Sequence, residues 1–141
     1  GVGSFSNSTI TNATVNQNIN GVNIQGTGAV SNVTFNTMLA NQNQNGFAIN
    51  TGNAGTRSNI TVNNLTATNN TTDGVRILSG IGNSVSNVTF TNANISGNTT
   101  AGFRIAGSSS GSITGLNVNN SSISNNTGTS VYLNTANSSV F

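Results

Sequence analysis

The sequence has no cysteine, proline, histidine or tryptophan, and only four of its 141 residues are charged. Without cysteine there is no disulfide framework and no thiol chemistry, so stability has to come from backbone hydrogen bonds and packing. Asp73 is the single carboxylate. It cannot supply both the acid and the base of glycoside hydrolysis, and the chain holds no nucleophile and base pair and no zinc or transition-metal ligand set. The expectation is a protein that is not an enzyme and needs no cofactor or metal. The charge of +2 comes from Arg57, Arg76 and Arg104 against Asp73, and it gives no reason to expect a nucleic-acid partner. No run approaches the roughly 18 apolar residues of a membrane helix, so this segment is not expected to insert into a membrane.

Low charge and missing proline also argue against disorder, although only 33% of residues are hydrophobic, because disordered chains are solvated chiefly by charge and proline. The polar residues are instead Asn, Ser, Thr and Gly. Asn and Gly tolerate left-handed backbone conformations, which suits a fold that repeats tight turns.

The chain is internally repetitive. SNVTF at Ser31 to Phe35 returns as SNITV at Ser58 to Val62 and as SNVTF at Ser86 to Phe90, with diverged copies at Ser6 to Ile10 and Thr114 to Val118. A second block follows in each copy: GVNI at Gly21, GFAI at Gly46, GVRI at Gly74, GFRI at Gly102 and SVYL at Ser130. The copies divide the chain into five coils at 6–30, 31–57, 58–85, 86–113 and 114–141 within a single domain.

Aligned copies give columns, and the chemistry of the columns assigns strands. In the first block Ser8, Val33, Ile60, Val88, Leu116 and Ile10, Phe35, Val62, Phe90, Val118 face inward, with Thr9, Thr34, Thr61, Thr89 and Asn117 between them facing out. In the second block Val22, Phe47, Val75, Phe103, Val131 and Ile24, Ile49, Ile77, Ile105, Leu133 face inward, and Asn23, Ala48, Arg76, Arg104, Tyr132 face out. Val15, Ala40, Ala67, Ile95 and Ile123 mark a weaker third strand. Apolar character returns at the end of each coil, at Val30, Val85, Ile113 and Phe141, with Arg57 as the exception. Ser79 to Ser84 and Gly107 to Ser112 read as the longer loop of each coil.

One column is Asn in every copy: Asn18, Asn43, Asn70, Asn98 and Asn126. Coils stacked about 4.8 Å apart let such amides bond to the copies above and below, so these residues are expected to form a structural ladder and not a ligand site. SNVTF, an internal Asn turn, and Gly followed by V/F-x-I together resemble the repeats of right-handed parallel β-helices, such as those in the passenger segments of bacterial autotransporter adhesins. The resemblance covers nearly the whole chain. It implies an all-β solenoid of about five coils of roughly 25–28 residues with three short parallel sheets, right-handed as parallel crossovers are. It says little about activity, since pectate lyases, polygalacturonases and tailspikes share the fold.

Three further readings concern surfaces. Arg76, Arg104 and Tyr132 form an outward stripe suited to an anionic sugar, a phosphate or a carboxylate, against the simpler reading of a solubilising patch. Asp73-Gly74 reads as a turn before a strand. Thr9 with Thr11 and Thr89 with Thr91 suggest an ice-binding face that Asn36 and Asn63 interrupt, and Asn-x-Ser/Thr acceptors occur at Asn32, Asn59, Asn87, Asn94 and Asn137.

Gly1 to Phe5 match the tail of a coil, and neither end shows the helix or charged strand that caps solenoids. The expected partners are therefore flanking coils of a longer chain, or a second copy stacked head to tail, with surface glycans as a further partner class. The resulting expectation is a non-enzymatic, extracellular structural solenoid at a bacterial cell surface, acting as a filament subunit, stalk or adhesin segment. The competing expectation is a carbohydrate-binding or carbohydrate-active β-helix of the tailspike kind.

Overall fold

The structure, a computed structural model, describes residues 3–52, 55–108, 110–134 and 139–140. Among these residues it is built of strands and contains no helix. In chain order they are β1 (Phe5–Asn16), β2 (Asn20–Ile24), β3 (Val30–Asn41), β4 (Asn45–Asn50), β5 (Arg57–Thr68), β6 (Asp73–Ser79), β7 (Ser84–Thr91), β8 (Asn94–Ser96), β9 (Ala101–Gly107), β10 (Ser112–Asn119), β11 (Ser122–Ser124), β12 (Thr129–Asn134) and β13 (Ser139–Val140). Every pairing is parallel. One sheet runs β1-β3-β5-β7-β10-β13, with β8 and β11 alongside, and the other runs β12-β9-β6-β4-β2.

Each strand therefore pairs with the corresponding strands of the coils before and after it, which makes the fold a parallel β-solenoid. The inward columns read from the two blocks are in register, including Ile10, Phe35, Val62, Phe90, Val118, and so is the third-strand column Val15, Ala40, Ala67, Ile95, Ile123. Phe5 pairs with Val30, then Arg57, Val85, Ile113 and Val140 follow at intervals of 27, 28, 28 and 27 residues. Val140 takes the position expected for Phe141. Phe141 itself, like Gly1 and Val2 of the expected tail, lies outside the described residues.

Two sheets, and not three, hold these strands. In β1, β3 and β5 the first and third strand positions of a coil are one continuous strand of 12 residues. These strands bend at left-handed residues five apart: Asn7, Asn12, Gln17 in the first coil, Asn32, Thr37, Gln42 in the second and Asn59, Asn64, Asn69 in the third. Asn87, Asn92, Gly97 and Gly115, Asn120, Asn125 continue the series, with φ between 49° and 67° throughout.

A left-handed residue interrupts the two-residue alternation of a strand and resets its phase. In the second coil Val33 and Phe35 are buried, Thr37 is an exposed corner, and Met38 and Ala40 are buried. Simple alternation from Phe35 would have placed Thr37 and Leu39 inside. The reset creates an inward column, Ala13, Met38, Leu65, Ala93, that two-residue alternation does not place inside.

The core is a single narrow stack. Val33, Phe35, Phe47, Ile60, Val62, Val75, Ile77, Val88, Phe90, Phe103 and Ile105 are each at most 5% exposed, as their columns require. Phe side chains occupy the two blocks of the second and fourth coils, while Val62 and Val75 hold the same positions between them. The rings meet edge to face, Phe35 on Phe47 at 5.1 Å, Phe47 on Phe90 at 5.9 Å and Phe90 on Phe103 at 5.2 Å between centroids. Alternating large and small layers lets the rings meet across the valine coil.

The invariant Asn column lies against this core. Asn43, Asn70 and Asn98 are essentially fully buried. Its bonding differs from a simple amide stack, because most of its bonds are to the backbone. The main-chain N–H of Asn18, Asn43, Asn70 and Asn98 donates to Oδ1 of the next Asn in the column at 2.9–3.0 Å. In return, Nδ2 of Asn43, Asn70, Asn98 and Asn126 donates to the carbonyls of Val15, Ala40, Ala67 and Ile95 in the preceding coil. Direct amide-to-amide bonds occur only from Asn70 to Asn98 at 2.8 Å and from Asn98 to Asn126 at 2.9 Å. The side chains of Asn43, Asn70, Asn98 and Asn126 thus each satisfy two backbone groups of the preceding coil, whereas that of the exposed Asn18 bonds only the nearby Asn16 carbonyl.

This ladder also explains the Gly that opens the second block. A Cβ on Gly74 would stand 2.6 Å from Asn98 Nδ2 and 2.5 Å from Ile95 Cγ2, and one on Gly46 would stand 2.9 Å from Asn70 Nδ2. The Asn and Gly columns are therefore two halves of one packing unit.

Arg57 occupies the core between Val30 and Val85 and is fully buried. Its Nη1 donates to the carbonyls of Gly28 at 2.7 Å and Thr56 at 3.0 Å, and Nη2 donates to that of Gly26 at 2.6 Å. The apolar stem continues the valine column while the head ties down the loop of the preceding coil. Burial lowers the pKa of the guanidinium from its ordinary value by penalising the charged form.

Candidate binding site on the outer face of the second sheet

The second sheet carries the charged surface residues. Asn23, Ala48, Arg76, Arg104 and Tyr132 are in register across β2, β4, β6, β9 and β12, so the expected stripe exists. Three residues upstream a parallel column runs Asn20, Asn45, Asp73, Ala101, Thr129. The two columns interact one coil apart. Arg104 Nε donates to Asp73 Oδ2 at 2.7 Å, reaching back across the coil boundary. The same guanidinium lies 4.6 Å from the centroid of the Tyr132 ring. Arg104 is thus held between a carboxylate on one side and an aromatic face on the other.

Asp73 differs from its sequence reading. It is the first residue of β6, it is fully buried, and it is one half of an ion pair. The cause is local: Gly74 packs against the inner Asn ladder, so its neighbour Asp73 points to the opposite face, beneath Arg104. A contact between residues 31 apart and in different columns leaves no trace in the alignment of copies.

Arg76 stands to Asn45 as Arg104 stands to Asp73, 31 residues later and one coil on. Here an amide replaces the carboxylate, and no bond joins the pair. Arg76 Nε, Asn45 Oδ1 and Asp73 Oδ1 are buried atoms without a hydrogen-bond partner. Asn45 Nδ2 is engaged with Asn20 Oδ1 at 3.0 Å, which leaves Oδ1 as its open group. Arg76 and Asn45 both line a surface cavity of about 160 Å³, with Asn20, Asn23, Gln25 and Ala48. Among the described residues, the one ion pair is that of Arg104, so Arg76 contributes an unpaired cation to this cavity.

The outer face of the first sheet is uncharged. Thr9, Thr34, Thr61 and Thr89 form one column, but the adjacent one runs Thr11, Asn36, Asn63, Thr91, with Asn63 donating to Asn36 at 2.8 Å. Thr-x-Thr pairs are thus limited to the first and fourth coils. Asn7, Asn32, Asn59 and Asn87 form a second, exposed ladder of direct amide-to-amide bonds at 2.9–3.2 Å. Three of the acceptor-type asparagines, Asn32, Asn59 and Asn87, therefore sit at left-handed corners with their amides already bonded. Asn94 is exposed at the start of β8, and Asn137 lies outside the described residues. Comparison of the chain with protein-family models, with curated proteins and with solved structures found no match.

Proposed function

We propose that this chain is a non-catalytic structural segment of an extracellular solenoid at a bacterial cell surface, a rod that serves as the body of a stalk, adhesin or filament. The observation that carries the reading is where the polar side chains go. Two asparagine ladders, the Arg57 head and the backbone of both sheets are spent on joining each coil to the next. Even Asp73, the single carboxylate, is buried in an ion pair between two coils. A molecule whose polar chemistry is directed along its own axis suits load and spacing better than turnover.

Inward residues of the outermost described coils are exposed, with Phe5 at 48%, Val118 at 40%, Val131 at 45% and Leu133 at 44%.

Antibodies against these coils should label intact, unpermeabilised cells of the source organism. Labelling only after lysis would contradict the surface assignment. Incubation with pectin, polygalacturonate and bacterial polysaccharides should release no products. Turnover that disappears in Asp73→Asn would contradict the non-catalytic assignment.

A further inference from the structure

We infer that the cavity between Asn45 and Arg76 binds a small hydroxylated anion, a sugar acid or a sugar phosphate, independently of the structural role proposed above. The argument begins from unsatisfied groups. Buried polar atoms in folded proteins almost always find partners, yet Arg76 Nε, a donor, and Asn45 Oδ1, an acceptor, are both buried and unpartnered beside one cavity. Both atoms are covered in the unliganded chain, so a ligand hydroxyl reaches them as the Arg76 side chain shifts outward, and it then answers both by accepting one hydrogen bond and donating another.

Charge specifies the rest of the ligand. Asp73 is neutralised by Arg104 at 2.7 Å, whereas Arg76 has no carboxylate partner among the described residues. A guanidinium presents its terminal nitrogens as a fork that matches a carboxylate or phosphate. The rest of the wall mixes amides, Asn20, Asn23 and Gln25 among them, with the apolar residues Ile19, Ile49 and Leu78; the amides offer further hydroxyls a donor or an acceptor, and the apolar residues suit the C–H face of a sugar. Ala48 is the reason that there is space. It holds the stripe position that Arg76, Arg104 and Tyr132 fill in later coils, and a longer side chain there would occupy the cavity.

The test is a titration of the isotope-labelled chain with glucuronate, glucose 6-phosphate, acetate and glucose, followed by amide chemical shifts. Glucuronate, glucose 6-phosphate or both should bind, with shifts confined to β2, β4 and β6, and the tighter of the two identifies the anion. Acetate and glucose, each lacking half of the chemistry, should bind at least tenfold more weakly. Arg76→Gln and, separately, the occluding Ala48→Leu should each weaken binding at least tenfold while the remaining spectrum is retained. Absence of saturable shifts with both anions, equal binding of glucose, or unchanged affinity in both variants would overturn the proposal.

Discussion

Two asparagine columns run along this solenoid, and the same side chain does different work in each. The inner column, Asn18 to Asn126, faces the core and bonds mainly to backbone groups of the adjacent coil. The outer column, Asn7 to Asn87, is exposed, sits at left-handed corners with φ of 53–54°, and bonds amide to amide. Geometry alone would rank the outer column as the better ladder, since its side chains bond to one another in an unbroken series. Burial reverses the ranking. An exposed amide that loses its neighbour bonds to water at little cost, whereas a buried N–H or carbonyl that loses its partner bears the full desolvation penalty. Stacking identical amides is therefore not what stabilises the coil. What matters is which other groups would be left unsatisfied.

The largest effect should come from the inner column. Asn70→Ala removes the acceptor of the Asn43 N–H and the donor to the Ala40 carbonyl, both in the interior, and should cost about 3 kcal/mol. A shift of the denaturant midpoint at constant slope would register it. A loss no larger than that of Asn59→Ala would show that burial does not separate the columns.

Gly74→Ala should follow closely. Its Cβ would approach Asn98 Nδ2, Ile95 Cγ2 and the Gly102 carbonyl inside 3 Å, contacts that force the ladder to shift, at about 2 kcal/mol. The comparison sharpens in the double variant Gly74→Ala/Asn98→Ala. Its cost should fall below the sum of the two single losses, because removing the amide makes room for the methyl.

The smallest effects belong to the outer face. Asn59→Ala should cost about 1 kcal/mol, chiefly because alanine resists the left-handed corner, and Asn59→Gly should recover most of that loss despite having no amide. Thermal melts of the pair would decide between conformation and ladder. If Asn59→Gly were as damaging as Asn59→Ala, the outer amide bonds would be the stabilising element. Thr61→Ala, on the same face and in β geometry, should be close to neutral.

The repeat made the inward columns, the stripe of Arg76, Arg104 and Tyr132 and the inner Asn column readable before any coordinates, because in-register parallel stacking places equivalent residues of successive coils side by side. Column identity is a property of the alignment. Handling of the corners was not readable. Thr37 and Gly97 occupy positions that Asn takes in other coils, so no residue type marks them, and simple alternation assigned Met38, Leu65 and Ala93 to no column.

What the sequence determined by itself was the periodic part of this protein: parallel stacking of about five coils, a narrow apolar core and an asparagine column that is buried in the three middle coils. These follow from the spacing of residues that recur. What only the tertiary structure decided were contacts between columns of different coils. The burial of Asp73 under Arg104, the clamp of Arg57 on the Gly26 and Gly28 carbonyls, and the cavity that Ala48 leaves between Asn45 and Arg76 each occur once. The physical reason is that a repeat encodes what adjacent coils share, whereas these contacts depend on one coil differing from its neighbours and on a side chain long enough to cross the 4.8 Å step between them.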